Sequence, residues 1–231
     1  MSEQTLDLVI SHFAEDLNWL KRVPKEFRCF VYHKGESNTI PEIRNTVFQS
    51  RIENVGREAH TYIHHIVTQY DDLSDITVFL QGHPFDHCHD LHARLRELAT
   101  KTNISNDGFT WLGFIIDTDD AMGRRLFVPW SKNVNQRELD INQRYRKIFQ
   151  TEGQDDYRFF PGGQFIVSSD LIRSKEMAFY KRMLSIAEDD SDFAYCVERF
   201  WDQVFGCSFV TEEMMNGLET VYLKQIKRLN S

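Results

Sequence analysis

The sequence predicts an α/β protein whose central, mostly parallel sheet is flanked by helices. Residues 76–80 form an apolar run without strict alternation, which is typical of a strand covered on both faces. Strands and helices alternate over the first hundred residues, as in parallel sheets. Polar residues recur where the predicted strands end, so segments far apart in sequence meet at one sheet edge. Ligands bind at that edge in open parallel sheets.

Short apolar runs and turn residues define the elements of the first half. Strands are predicted over 6–11, 27–32 and 76–80, with a weaker extended segment over 46–53. A helix is predicted after Glu15 and ends before Pro24. Helical spacing of apolar residues predicts further helices over 57–70 and 90–100.

The second half is less regular. Strands are predicted over 109–116 and 164–168, and the acidic residues 117–120 follow the first of these as a turn. Helices are predicted over 137–149, after the cap Ser169-Asp170, around 179–186, over 193–205 and over 211–229. We find no internal repeat and no linker, so one domain over residues 1–231 is expected.

Composition and charge exclude several classes of protein. Asp and Glu number 35 against 27 Lys and Arg, a formal charge of −8, which disfavours nucleic acid and anionic membranes as partners. No secretory signal is expected from the polar residues 1–5, and the apolar runs are shorter than the ~20 residues of a membrane span. The four cysteines include no C-x-x-C pair, which disfavours thiol redox chemistry and a zinc ribbon. A cytoplasmic protein is expected.

Polar pairs follow four predicted strand ends and mark the expected site. They are Ser11 and His12, His33 and Lys34, Asn54 and Arg57, and Gln81 and His83. Glu15 and Asp16 follow the first strand, where they either complement a helix dipole or contact a nucleotide.

Asn54-Val55-Gly56-Arg57-Glu58 places a glycine at the start of a predicted helix. Free N–H groups and the helix dipole favour a phosphate at such a position, and Arg57 adds a planar set of donors. Alternatively, Asn54 is a cap and Arg57 a surface charge.

Two clusters could hold a metal ion. His83, His87, His89 and His92 lie close together with Asp86, although their spacing matches no common zinc signature, and solvated or capping histidines are the alternative. The segment 117–120 contains carboxylates, including Asp119, that suit Mg²⁺ or Mn²⁺, or else form a solvated turn.

Glu198-Arg199 lies within an apolar segment, where an unpaired carboxylate is costly. Either both side chains pair with neighbours, or Glu198 faces the crevice as a general base. Dinucleotide-binding, P-loop and α/β-hydrolase signatures are absent from the sequence.

The chain resembles a little-characterised family of fungal, bacterial and viral proteins of unknown function that look like glycosyltransferases. The matching stretches are 7–11 with 15–20, 54–62, 75–87, 164–168, and 198–201 with 205–206. More distantly, their order is similar to GT-A nucleotide-sugar glycosyltransferases, which carry an N-x-G-R-[DE] segment, a His-containing strand-end loop and a late Glu-Arg helix. This resemblance implies one GT-A-like, Rossmann-like domain, with a nucleotide-binding half over 1–100 and an acceptor half over 101–231.

The resemblance also implies roles for individual residues. Together with Lys34 from the strand-end pattern, the predicted substrate-binding residues are Ser11, Glu15, Asp16, Asn54, Arg57, Gln81, Gly82, His83 and Gln164. The candidate catalytic carboxylates are Glu198 and Asp86. Gln81-Gly82-His83 takes the place of the usual D-x-D, so the candidate ligands of a Mn²⁺ or Mg²⁺ ion are Asp86, His83, His87 and Asp119.

The sequence thus predicts a glycosyltransferase that moves a sugar from a nucleotide-sugar donor to a glycan or another hydroxyl acceptor. One alternative is a metal-dependent hydrolase built on the cluster from His83 to His92. The other is a catalytically idle module that binds a nucleotide or a glycan.

Overall fold

The computed structural model describes residues 4–100, 108–127 and 138–223. The strands are β1 (Leu6–His12), β2 (Phe27–His33), β3 (Val47–Arg51), β4 (Ile76–Gln81), β5 (Phe109–Trp111), β6 (Ile115–Asp120), β7 (Asp156–Phe159), β8 (Phe165–Ser168) and β9 (Thr220–Tyr222). The α-helices are α1 (Arg57–Gln69), α2 (Leu91–Thr100), α3 (Ile141–Phe149), α4 (Ser169–Arg173), α5 (Met177–Asp189), α6 (Phe193–Val197), α7 (Trp201–Val204) and α8 (Glu212–Met215). Short 3-10 helices cover Asn18–Arg22, Pro84–Asp86 and Arg124–Phe127.

The central sheet has the strand order β3-β2-β1-β4-β8-β5. β3, β2, β1 and β4 run parallel, β8 is antiparallel to β4, and β5 is antiparallel to β8. The prediction of a mainly parallel sheet flanked by helices is confirmed.

Both faces of this sheet are buried, which explains why its strands do not alternate between apolar and polar residues. Val9 and Phe79 face a core that includes residues of α1, α5 and α6. Leu8 and Val78 face the opposite core, which is built with α2 and the 3-10 helix Asn18–Arg22. Within the described residues, no helix is both long and apolar enough to cross a bilayer.

The predicted strand over 109–116 is in fact two strands in two sheets. β5 pairs with β8, whereas β6 pairs antiparallel with β7 and β9 in a second, three-stranded sheet. The chain changes direction around Gly113, where an added Cβ would lie 2.8 Å from the Phe160 ring. Consequently residues 117–120 belong to β6 rather than to a turn.

Three predicted helices differ from the structure. The segment after Glu15 forms only the 3-10 helix Asn18–Arg22, and the predicted helix 193–205 is broken into α6 and α7. The predicted helix 211–229 is wrong within the described residues: α8 ends at Asn216 and Gly217, both left-handed, and β9 follows. Residues 224–229 of that prediction, and the start of the predicted helix at residue 137, lie outside the described residues.

Candidate functional site

A cleft of about 500 Å³ lies at the carboxyl ends of the parallel strands. The strand register aligns these ends, because Ser11 pairs with Gln81 and His12 with His33. The lining residues are Ser11, Phe13, Glu15, Lys34, Asn54, Arg57, Glu58, Gln81, Gly82, His83 and Asp86. Its position and volume are those of a small-molecule site.

Most of the predicted site residues line this cleft. Those in the lining are Ser11, Glu15, Lys34, Asn54, Arg57, Gln81, Gly82, His83 and Asp86. Those outside it are Asp16, His87, Asp119, Gln164 and Glu198. Phe13 and Glu58 also line it and were not predicted.

Glu15 and Gly82 hold two strand-end loops together. The Glu15 carboxylate accepts the backbone N–H groups of Phe13 at 2.7 Å and Ala14 at 3.1 Å. A Cβ on Gly82 would lie 2.5 Å from Glu15 Oε2, so the Glu15 carboxylate would have to move to admit a larger residue. Trp19 Nε1 donates to the Gly82 carbonyl at 2.9 Å. Glu15 therefore shapes the wall of the cleft.

Lys34 holds the turn that starts α1. Its Nζ donates to the carbonyl oxygens of Val55 and Arg57, and the residue is only 8% exposed. Burial lowers the pKa of Lys34 to about 8, against the opposing effect of Glu58. Since Arg57 has a φ of 48°, which is unfavourable for a residue other than glycine, these two hydrogen bonds stabilise a strained turn.

Arg57 extends from this turn along the cleft. Its guanidinium lies 5.0 Å from the ring centroid of Tyr195, and Nη1 donates to Tyr195 Oη at 3.1 Å. The Arg57 side chain is 55% exposed, so it keeps N–H groups available for an anion in the cleft.

Glu58, the next residue, is much less exposed. Its carboxylate lies 3.6 Å from Arg57 Nε and its side chain is only 12% exposed. Burial raises the pKa of Glu58, and the negative charge of Glu198 raises it further, while Arg57 opposes both effects.

Glu198 lies behind the turn between β7 and β8. Its Oε1 accepts the Gly162 N–H at 2.6 Å, and its Oε2 accepts from Arg199 Nη1 at 2.6 Å. The Gly162 carbonyl accepts from Gln81 Nε2 at 3.0 Å, which connects Glu198 to the cleft wall. Gly162 has a φ of 99°, and an added Cβ would lie 2.4 Å from the His87 ring.

Gln164 and Asp16 make structural contacts rather than lining the cleft. The buried Gln164 side chain accepts the Gln81 N–H at 3.2 Å and donates to the Pro84 carbonyl at 3.1 Å, which ties β4 to β8. Asp16 Oδ1 accepts the backbone N–H of Asn18 at 2.9 Å at the start of the 3-10 helix.

A known family covers almost all of this structure. The profile of a family described as protein of unknown function, DUF3431, matches residues 8–218. The chain belongs to the DUF3431 family. No curated protein matches it. The family description names no activity, so a function for this DUF3431 chain is argued from its residues.

The predicted metal ligands do not converge in this DUF3431 chain. Asp119 Oδ2 accepts from Arg199 Nε at 3.1 Å and Nη2 at 3.0 Å, and the two side chains are 1% and 2% exposed. Its Oδ1 accepts the backbone N–H groups of Asp120 and Arg125. Both carboxylate oxygens of Asp119 thus accept hydrogen bonds in the core, away from the cleft lining, and its role as a metal ligand stays a prediction.

The histidines are also dispersed. His83 Nε2 lies 3.5 Å from Asp86 Oδ1, whereas His87 packs against Gly162 and His89 stacks on Phe114. Among the described residues, no three His, Cys, Asp or Glu side chains form a group that could hold a metal ion. The residues present do not fit a complete Mn²⁺ or Mg²⁺ site.

Two buried histidines contact each other below the cleft. The sequence analysis placed both at strand ends but did not predict this contact. His12 Nδ1 and His33 Nδ1 are 2.8 Å apart, and both residues are buried. His12 Nε2 is 3.1 Å from the Glu15 carbonyl oxygen, which only accepts, so this nitrogen carries a proton. His33 Nε2 in turn lies 3.1 Å from Gln49 Oε1, so the Nε2 atom of each histidine faces an acceptor oxygen. The one available signal was the position of each histidine at a strand end.

Proposed function

We propose that this DUF3431 chain is a GT-A-like glycosyltransferase that moves a sugar from a nucleotide-sugar donor to a hydroxyl acceptor such as a glycan. The observation that carries this proposal is the cleft itself. Three strand ends and the start of α1 bring Ser11, Gln81, Asn54 and Arg57 to one place beside the sheet.

Arg57 and the start of α1 would bind the donor diphosphate. Within the described residues, no side chain caps the amino end of α1, whose dipole favours an anion. The leaving diphosphate gains negative charge in the transition state, and Arg57 would stabilise that charge. Lys34 would contribute indirectly, because it fixes the carbonyl groups of Val55 and Arg57.

Metal dependence is not part of the proposed steps. His83 and Asp86 form the one pair of predicted ligands in contact at the cleft, which is an incomplete ligand set. The hydrolase alternative needs converging ligands from the segment 83–92, which the described geometry does not provide. Cytoplasmic location stays a prediction from sequence.

A thermal-shift screen tests donor binding. UDP-, GDP-, CMP- and dTDP-sugars are compared with Mn²⁺, Mg²⁺ or chelator, because a ligand that binds the folded state raises its melting temperature. One nucleotide family should raise the melting temperature of the parent protein. The increase should be smaller for Arg57→Ala. It should equal that of the parent protein for Arg146→Ala, a control at an exposed arginine in α3. Nucleoside diphosphate release then measures turnover. The proposal fails if no nucleotide sugar raises the melting temperature of the parent protein, or if the bound donor releases no nucleoside diphosphate. Arg57→Ala and Glu198→Gln variants that bind and turn over the donor like the parent protein would remove these two residues from the proposed site.

A further inference from the structure

Four carboxylates lie in or beside the cleft, and they differ in what they already bind. Glu15 accepts two backbone N–H groups, and Glu198 accepts from Gly162 and Arg199. Asp86 is 75% exposed and contacts His83. Glu15 and Glu198 are therefore held by the fold, and Asp86 is largely exposed to solvent.

Glu58 differs from all three. It lines the cleft, its side chain is only 12% exposed, and its ion-pair contact is with Arg57 Nε, at 3.6 Å. That distance is longer than a hydrogen bond, and the carboxylate also interacts with the backbone N–H of Glu58 itself. Because a carboxylate has about four acceptor sites, it retains acceptor capacity towards the cleft. Glu58 is in the first turn of α1, which packs against β1, so its backbone is rigid.

The surroundings of Glu58 favour proton transfer. Lys34 and Arg57 place positive charge near it, whereas Glu198 places negative charge near it, and burial raises its pKa overall. One helical turn further, the buried Tyr62 hydroxyl has no hydrogen-bond partner among the described residues, and it lies in the field of Glu58 and Glu198. A carboxylate with a raised pKa accepts a proton from a substrate better than a solvated one at neutral pH.

We propose that Glu58 is the general base of the transfer reaction, a role that rests on the proposed glycosyltransferase function. Glu58 takes the proton of the acceptor hydroxyl. The acceptor oxygen forms a bond to the anomeric carbon as the bond from that carbon to the diphosphate oxygen breaks. The electron pair of the broken bond leaves with the nucleoside diphosphate. A single displacement of this kind inverts the anomeric configuration.

The variants Glu58→Gln and Glu58→Asp test this role. Glu26→Gln is the matched control, because Glu26 is an exposed glutamate just before β2, at the edge of the sheet opposite the cleft. Nucleoside diphosphate affinity is measured by calorimetry, turnover by nucleoside diphosphate release across pH, and product configuration by NMR. Circular dichroism and melting temperature confirm that each variant folds.

Glu58→Gln should bind nucleoside diphosphate within about threefold of the parent protein and lose about 100-fold or more in turnover. Turnover of the parent protein should fall on the acid side of its pH profile as Glu58 becomes protonated, and Glu58→Gln should lack this limb. Glu58→Asp should recover part of the turnover, and the product should be inverted.

Failure of the base role and failure of the proposed function give different results. Turnover of Glu58→Gln equal to that of Glu26→Gln, or a retained anomeric configuration, overturns the base role while the transferase survives. An equal loss of affinity and turnover in Glu58→Gln would make Glu58 a donor ligand, and this result also overturns the base role. Nucleotide binding without turnover in the parent protein removes the base role and leaves a binding module. No nucleotide binding refutes both proposals.

Discussion

Arg199→Met tests whether the core beside the cleft depends on one buried ion pair. Arg199 donates twice to Asp119 Oδ2, once to Glu198 and once to the Tyr195 carbonyl. Its guanidinium also lies 4.5 Å from the ring centroid of Phe159. The variant keeps a long apolar side chain but leaves the Asp119 carboxylate without its cation.

The expected loss follows from burial. Arg199 and Asp119 are 2% and 1% exposed, and removing one member of such a pair costs about 3–5 kcal/mol, because the other charge stays buried. For a protein of this size, 1 kcal/mol corresponds to about 2–4 °C in melting temperature, so Arg199→Met should melt about 6–20 °C lower.

Thermal and urea unfolding at pH 7 measure this effect. The control is Arg146→Met, whose 3.0 Å ion pair with Glu152 has a similar length but is 51% and 81% exposed. That surface pair should contribute about 0–1 kcal/mol. The double variant Arg199→Met/Asp119→Asn should be more stable than Arg199→Met, because it removes the uncompensated charge and keeps an acceptor.

Two results would refute this reasoning. One is a loss of melting temperature in Arg199→Met that is no larger than the loss in Arg146→Met. The other is a double variant less stable than Arg199→Met alone.

Three further predictions concern protonation and backbone geometry. Burial raises the pKa of Asp202 to about 7, so between about pH 4 and 7 the folded state binds more protons than the unfolded state. The contribution of Asp202 to stability therefore falls as pH rises through this range. The melting temperature of Asp202→Asn should fall less between pH 5 and 8 than that of the parent protein. Lys34→Met should lower the free energy of unfolding by about 1–3 kcal/mol, because the carbonyl groups of Val55 and Arg57 lose their donor, and should speed hydrogen exchange at the start of α1. Gly162→Ala should cost about 1–3 kcal/mol in urea unfolding, since its φ is 99° and its Cβ would meet the His87 ring.

Each of these predictions has a control or a result that would contradict it. Asp189→Asn, at an exposed acidic position at the end of α5, is the control for the loss of one carboxylate. A pH profile of melting for Asp202→Asn that runs parallel to that of the parent protein would contradict the raised pKa of Asp202. Unchanged exchange in Lys34→Met would show that the turn holds its shape without the lysine. His87→Ala combined with Gly162→Ala should recover the steric part of the loss, and no recovery would leave backbone strain alone as its cause.

Much of the sheet could be predicted because its signals are local. Residues 76–80 have the composition of a doubly covered strand, and the spacing of apolar residues predicts α1. The strand-end pattern then predicted most of the cleft lining, since parallel strands place their carboxyl ends at one edge.

Other features could not be predicted, because they depend on long-range pairing. The run 109–116 reads as one strand, and only pairing partners distant in sequence divide it into β5 and β6. Likewise, the amphipathic pattern of 211–229 predicts a helix, whereas in the structure Asn216 and Gly217 adopt left-handed backbone and β9 pairs with β6.

Charged residues show the same division. The sequence alone determined that Glu198 and Arg199 lie within an apolar segment, where an unpaired charge is costly. Tertiary structure decided which partner each one has: Asp119 and Arg199 neutralise each other in the core, and Glu198 is held by Gly162 and Arg199. Glu58 faces the cleft. The physical reason is that the energy of a charge depends on its burial and on the distance to the opposite charge, and both are set by segments far apart in the chain.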